Sequence, residues 1–497
     1  MYYKIAKSFA SYIISKNQFW ITNPIQAQSK TLKNLINNGK NTLFGQQHFF
    51  KEIKGYDDFK DSIPIRDYEK FKIYIDRIIK GESDVIWPGK PVYFSKTSGT
   101  TSGIKNIPIF KNAIKTHINS ARDSILQYIL NSGDTSFIKG KQIFIQGSPL
   151  LKTKKGIKIG RLSGIVAHHV PFYMKSSRMP SWNVNCIEDW EEKINAIVDE
   201  TMNQNMTLIS GIPPWVQMYF EKIIEKSGQK VGNVFENFSL FIYGGVSFKP
   251  YKKIFDELIG RKVNSIQVYP ASEGFFAFQD QMDNESMLLI LNNHIYYEFI
   301  ETKDLSVGNN NYIPLSEVKV GKNYALIIST SSGLWRYNIG DTIQFTEIKP
   351  FRIIVTGRIK HFISAFGEHV IAKEVETAIR EASSKLKSRI REFTVAPQVA
   401  PEVGLPFHEW FIEFDQINDN LEEIECIIDN IMQRQNIYYK DLVQGKILSP
   451  LKITKIKKGG FNDFMNSVGK LGGQNKVPHL SNDRKIASGL KNYIIKI

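Results

Sequence analysis

Residues 93–109, YFSKTSGTTSGIKNIPI, set Ser95, Thr97, Ser98, Thr100 and Thr101 around Gly99 and Gly103 and follow them with Lys105. Backbone N–H groups of a Gly-rich turn and small hydroxyls can surround phosphate oxygens at no steric cost, and a lysine adds charge. The spacing Gly-x-x-x-Gly-x-Lys lacks the four-residue gap and the Gly-Lys-Ser/Thr ending of a P-loop, so that class of NTPase is excluded. Taken alone, the segment is as readily a flexible polar turn as a phosphate cradle. A second group lies in YPASEGFF. There Tyr269 can offer a ring face to a base, beside Ser272, and Glu273 a hard oxygen to magnesium. The plainer alternative is a strand ending in a Pro-containing turn with an exposed glutamate. The third is GLWRYNIGDTI, where Asp341 after Gly340 falls in a turn between extended segments. Its carboxylate can accept two ribose hydroxyls or cap a hairpin. Arg336 and Arg358 can each contact phosphate or pair with a surface carboxylate.

Such groups need elements to hold them. KQIFIQGSP, FSLFIYGGVSF and VNSIQVYPASEG read as buried strands running into loops, with helical patterns between them from Trp190 and from Lys249. Alternation of strand and helix predicts an α/β fold with its site at the strand ends. Beyond residues 356–361 the pattern changes. VIAKEVETAIREASSKLKSRI is an amphipathic helix, and EFTVAPQ, HEWFIEF and a helix around residues 424–433 outline a smaller α+β module. The expected division is a large domain over residues 1–357 and a small one over 358–497. A chain of 497 residues is too long for one ordinary core, which agrees with that division.

The totals exclude several classes. Hydrophobic content of 42% belongs to a globular protein. Cys186 and Cys426 have no metal or redox spacing, and no run of about 18 apolar residues offers a membrane span. The N-terminal patch is interrupted by Lys7, Ser8 and Ser11, unlike a secretory signal. A soluble, cytoplasmic protein is expected, with monomer as the default. The net charge of +16 raises nucleic-acid binding. Eleven Lys/Arg against three Asp/Glu fall in residues 441–497, a region without a nucleic-acid motif, so no nucleic-acid partner is expected. There is no Ser-His-Asp signature and no His cluster for a metal. His168 and His169 are adjacent and face opposite ways if they lie on a strand.

In order, a hydroxyl-rich loop, a Tyr…Ser-Glu turn, an Arg-Tyr…Gly-Asp turn and a TGR before the boundary resemble the adenylate-forming superfamily. More narrowly, the chain resembles the Gretchen Hagen family of acyl acid amido synthetases, best known for conjugating auxin and jasmonate to amino acids. The likeness extends from NTLFGQQHFFKEIKGYDDFKDSIPIRDYE through SRMP, SGIPPWV and YGGVSF to PFHEWFIEF and GGQNKVPHL.

That resemblance implies that Ser95, Thr97, Ser98, Gly99, Thr100 and Thr101 grip the phosphates of ATP. Thr97 stands where the family has a serine. It implies Ser272 and Glu273 as the Ser-Glu pair, with the glutamate near magnesium, Tyr269 near the base, and Gly340 and Asp341 at the ribose. It places Arg358 in the Gly-Arg pair and Lys360 at a hinge about which the small domain swings between half-reactions. Lys476 in QNKVPHL would reach the reacting carboxylate and α-phosphate, with Lys470 as rival; His479 replaces the family's arginine. The acyl pocket would be lined between residues 146 and 180 and between 211 and 218. The implied activity is ATP- and magnesium-dependent activation of a carboxylic acid as an acyl-adenylate and its transfer to an amino acid. Transfer to coenzyme A or a carrier thiol, or nucleotide or nucleic-acid binding without turnover, are the alternatives.

Overall fold

The computed structural model describes residues 2–495 except 17, 98–104, 172–173, 247, 249–250, 307–308, 359–361, 364, 369 and 469–476. Its centre is a mixed sheet of twelve strands. One half is parallel and runs in the order Arg178–Met179, Lys141–Ile145, Met206–Gly211, Leu240–Tyr243 and Asn264–Ala271. These strands form where the sequence gives short apolar runs, and helices cross between them. The helix Trp190–Thr201 is capped by the Asp189 side chain accepting from the Glu192 amide at 2.8 Å. The helix Lys252–Ile259 stops at Gly260, whose φ of +78° suits a residue without Cβ.

The other half of the sheet is antiparallel and was not evident in the sequence. After Ala271 the chain turns back through Ser272 and Glu273 into Gly274–Phe278. The strands Met287–Leu289, Phe351–Arg358, Tyr337–Ile348, Asn323–Thr330, Ile295–Glu301 and Ile313–Pro314 follow across the sheet. Aromatic side chains fill its covered face. Trp335 is fully buried, donates from Nε1 to the Ile86 carbonyl at 2.9 Å, and lies so close to Gly39 that a Cβ there would meet its ring at 2.5 Å. A four-stranded sheet, ordered Lys105–Ile109, Tyr93–Thr97, Ile157–Gly160, Lys152–Lys154, stands beside it.

The C-terminal region is the expected α+β module. Arg389–Gln398 and Phe407–Gln416 are antiparallel, Lys452–Ile456 adds a parallel strand, and the helices Ala372–Ser383 and Leu421–Gln435 are both present. Some of its apolar residues, among them Trp410, Ile428 and Met432, belong to one buried cluster with Ile143 and Ile209 of the parallel sheet, while Phe411, Ile456 and Phe461 belong to a second. Among the described residues no helix is long and apolar enough to cross a membrane.

Arg336 is turned into the core and pairs with a buried carboxylate, not a surface one. It is 3% exposed, carries a left-handed φ of +43°, and bonds through Nε to both oxygens of buried Glu298, at 3.1 and 3.0 Å. Its Nη1 donates to the carbonyls of Lys60 and Ile63 at 2.7 and 2.6 Å, which ties the helix Tyr56–Ser62 to the sheet. Burial pushes the Glu298 carboxyl up, and the Arg336 charge opposes it. Removing one partner leaves the other charged and desolvated. Glu298→Ala is therefore expected to cost about 3–5 kcal/mol, read as a shift of the urea midpoint with little change in slope.

Candidate active site

The strand Tyr93–Thr97 pairs with Lys105–Ile109 in the register Thr97↔Lys105, so the hydroxyl-rich segment joins two antiparallel strands. Ser98, Gly99, Thr100 and Thr101 lie outside the described residues, as do Lys360, Lys470 and Lys476. Ser95 is fully buried, and its Oγ is 2.8 Å from Oγ of Ser272. The two sequence motifs thus meet directly, across 177 residues of chain. Ser272 and Glu273 form the connection between the last parallel strand and the first antiparallel one, with Ala271 opposite Gly274. This is the point where strand direction changes, at the carboxyl ends of the parallel strands, and such positions favour ligand clefts.

Asp341 reaches the same place from the other half of the sheet. The sequence suggested a turn; the structure puts Asp341 within the strand Tyr337–Ile348, opposite Arg358. The register slips between Ala325 and Ile327, where Thr342 and Asn338 are their partners, so the strand bulges at Gly340. Gly340 has φ +88°, and its amide donates to Asn338 Oδ1 at 2.9 Å. A bulge re-aims the following side chain. Here it brings Asp341 Oδ2 within 2.5 Å of the Tyr269 hydroxyl, which donates to it. The Tyr269 ring meets Phe276 edge-on at 5.0 Å. Of Arg358 the backbone register alone is described.

Thr97, Lys105, Tyr269, Ser272, Glu273 and Asp341 all line one cleft of about 2010 Å³. Single small-molecule sites occupy about 300–1,000 Å³, so the space suffices for a nucleotide and a second molecule together. Glu273 adds a carboxylate to the cleft lining beside Ser272. That fits magnesium, which is usually held by one or two carboxylates together with substrate phosphates. Among the described residues no cluster of three or more His, Cys, Asp or Glu offers a closed metal cage.

The expected acyl-pocket segments also reach the cleft, through Gln146, Val166, His169, Ile212 and Trp215. His168 and His169 follow the short helix Leu162–Ala167 and are not on a strand; six residues are too few for periodicity to separate the two. His169 Nε2 lies 2.9 Å from the Tyr93 hydroxyl, and burial lowers its pKa; His168 instead contacts the Pro149 carbonyl at 2.9 Å. The sequence reading missed two contributors. One is the helix Lys111–Ser132, which brings His117, Ile118, Arg122 and Ile125 to the cleft. Its signal was a helix that buries His117, Ser120 and Ser124 at helical spacing, a polar face turned inward. The other is the helix Ile437–Gln444. From it Tyr438 donates to the Lys96 carbonyl at 3.2 Å, and Asp441 pairs with Arg161 at 2.5 Å.

Sequence models of one family match three parts of the chain. The GH3 family N-terminal domain matches residues 15–188, its central domain residues 288–358, and its C-terminal domain residues 373–485. The chain belongs to the GH3 family. Its relatives include the indole-3-acetic acid-amido synthetase GH3.3 of Arabidopsis thaliana, 20% identical over 91% of this chain and 88% of that protein. The jasmonoyl–L-amino acid synthetase JAR4 of Nicotiana attenuata is 21% identical over 90% and 88%. Among solved structures, the GH3.15 acyl acid amido synthetase in complex with 2,4-DB aligns with a TM-score of 0.64 at 16% identity, over 99% of this chain and 97% of that one. A 2-hydroxyisobutyryl-CoA ligase in complex with 2-HIB-AMP and CoA aligns at 0.57 and 12% identity, over 98% and 92%. The fold is therefore that of adenylate-forming enzymes, a large N-terminal part with a smaller C-terminal one.

His479 is held between two carboxylates, Nδ1 2.9 Å from Glu376 and Nε2 3.3 Å from Glu392. It stacks on Phe393 at 4.3 Å, and the preceding Pro478 carbonyl accepts from Thr394 Oγ1 at 2.7 Å. Glu392, then Glu376, raise its pKa above 6.5. A raised histidine stabilises the folded state fully below the unfolded value, and that contribution is lost as pH rises through the folded value. His479→Gln should accordingly lower the urea midpoint more at pH 6 than at pH 9. An equal loss at both would assign the residue a packing role only.

Proposed function

We propose that the protein is an ATP-dependent acyl acid amido synthetase. The observation that carries this reading is that Ser272, Glu273, Tyr269 and Asp341 line one cleft, with buried Ser95 bonded to Ser272, in a chain of the GH3 family. A carboxylate oxygen attacks the α-phosphorus of ATP and expels pyrophosphate, giving an acyl-adenylate. An amine, the amino group of an amino acid in this reading, then attacks the acyl carbon. The C–O bond to AMP breaks, and the amine proton is released.

Neither step needs a nucleophilic side chain; positioning and charge stabilisation suffice. Ser95, Thr97, Ser98, Gly99, Thr100 and Thr101 are assigned to the phosphates. Asp341, oriented by the Tyr269 hydroxyl, accepts the ribose hydroxyls, and the Tyr269 ring faces the base. Arg358 stands in the strand facing Asp341 and adds charge near the phosphates. Magnesium, held by Glu273, would neutralise phosphate charge. Lys476, assigned from its motif, steadies the carboxylate and α-phosphate.

The reading includes a large domain at residues 1–357 and a small one at 358–497 that closes over the cleft about Lys360. It also includes a monomer in the cytoplasm, in keeping with free thiols at Cys186 and Cys426.

Acid-dependent exchange of labelled pyrophosphate into ATP tests the first half-reaction, and mass spectrometry with pooled acids, amino acids and coenzyme A tests the second. Formation of AMP with an acyl-amino acid is the expected result. An acyl-thioester would reassign the acceptor, and absence of AMP from every pool would count against the reading. Glu273→Ala and Lys476→Ala should each lower exchange on the order of 10²-fold, whereas Lys470→Ala should leave it near the wild-type rate. Full exchange by Glu273→Ala would remove the magnesium assignment.

A further inference from the structure

Gln146 follows the strand Lys141–Ile145 and lines the cleft, yet it is 2% exposed. Among the described residues both its Nε2 and its Oε1 are buried without a hydrogen-bond partner. A primary amide has donors and an acceptor to satisfy, and burying both ends unpaired is costly. A side chain kept in that state beside a cavity is matched to something that enters the cavity.

Strand alternation says which compartment it faces. Ile143 and Ile145 point to the core shared with Val198 and Val216, so Phe144 and Gln146 point to the opposite face. On the neighbouring strands the helix Lys111–Ser132 covers that face, its Leu126 and Ile129 packing with Leu208 and Leu240, while Phe144 itself stays exposed and Gln146 is buried. His117 lies on the same helix, is 5% exposed, and lines the same cleft. Burial is the sole influence on its pKa, which falls to about 4, so the ring is neutral at physiological pH. The walls nearby are apolar, with Ile118, Ile125, Val166 and Val170. Of the cations on this helix Arg122 lines the cleft, and it is bonded through Nε and Nη2 to Asp123 at 2.9 and 2.7 Å. Arg161 and Arg178 line the cleft too and are engaged as well: Arg161, beside Gly147, pairs with Asp441, and Arg178 donates from Nη1 to the Ala167 carbonyl at 2.9 Å. Gln146 and His117 thus offer neutral donors and acceptors among arginines that already have partners.

We propose that Gln146, with His117 of the same cleft, reads an uncharged hydroxyl or carbonyl oxygen on the body of the acyl acid, away from the reacting carboxylate. The acid is then an oxygenated one, not a plain hydrocarbon acid. A hydroxyl serves best, since it donates to Oε1 while accepting from Nε2 or the imidazole. This inference rests on the acyl-acid reading of the cleft. A site built to bond a hydroxyl rejects the analogue lacking it far more strongly than an apolar pocket rejects one methylene.

The test pairs acids that differ by one oxygen: 4-hydroxyphenylacetate with phenylacetate, 12-hydroxydodecanoate with dodecanoate, and 3-(4-hydroxyphenyl)propanoate with 3-phenylpropanoate. Binding to the ATP-free protein is read by calorimetry, and kcat and KM by pyrophosphate exchange, for the wild type, Gln146→Leu and His117→Phe. At least one pair should favour the oxygenated member by about 10²-fold, chiefly in KM. Gln146→Leu should erase that preference, chiefly by raising KM for the oxygenated acid. Its melting temperature should rise, because the leucine removes two unpaired polar groups; a fall would mean that the amide is structural and would overturn the assignment. A preference unchanged in Gln146→Leu, no preference in any pair, or no binding by any acid would overturn it too. A binding preference that Gln146→Leu erases, in a protein without exchange activity, would uphold this inference and sink the ligase reading instead.

Discussion

The hydrogen bond from the Tyr269 hydroxyl to Asp341 joins the last parallel strand to the bulged strand of the antiparallel half. The rest of the site depends on it because the two residues come from parts of the sheet built by different rules. Asn264–Ala271 is fed by a crossover helix, whereas Tyr337–Ile348 is laid down antiparallel between Asn323–Thr330 and Phe351–Arg358. A carboxylate aimed into a cleft from an ordinary strand position would be displaced by a neighbour's side chain. The bulge at Gly340 supplies the extra backbone that turns Asp341 out, and the phenol fixes where its oxygen rests. Ser95 and Ser272 make the corresponding link to the four-stranded sheet, so three pieces of β-structure converge through two short hydrogen bonds.

This arrangement explains why the site residues are so widely dispersed in the sequence. Among the described residues no closed metal cage is present. Acyl-adenylate chemistry needs a nucleotide, an acid and an amine held in line, by groups that come from several directions. The described residues of the cleft come from a hairpin strand, a strand end and a bulge, each fixed by backbone register, which positions atoms more tightly than long side chains on a loop would.

Much of the parallel half was legible because its strands carry short apolar runs closed by Gly or Pro, and its helices begin and end with recognisable caps. The helix from Trp190 and the C-terminal pair Arg389–Gln398 and Phe407–Gln416 lie where the pattern put them. The antiparallel half was not legible. Its strands, such as Ile295–Glu301, are nearly all buried and lose the period-two alternation that marks a half-exposed strand. The Gly340–Asp341 pair was recognised by residue type, yet its place in a bulge depends on pairing with Ala325 and Ile327, which no local pattern encodes. Arg336 was misjudged for a similar reason. Its partner Glu298 is 38 residues away, and only the folded sheet reveals that both are buried. His117 and Gln146 carried no signal beyond being polar, because what distinguishes them is the surroundings that the tertiary fold builds around each.

The contacts that bring the helix Ile437–Gln444 to the cleft differ in kind from those inside it. Beside the Tyr438 bond to the Lys96 carbonyl stand two ion pairs, Arg161 with Asp441 and Lys446 with Glu191, each with at least one partner substantially exposed. Exposed charges are screened by dissolved ions over a length of about 8 Å at physiological ionic strength. The buried links between Ser95 and Ser272 and between Tyr269 and Asp341 are shielded from that effect. Raising the salt concentration therefore weakens the ion pairs around this helix while leaving the buried links as they are, and the apolar anchors Tyr439 and Leu442 keep the helix seated.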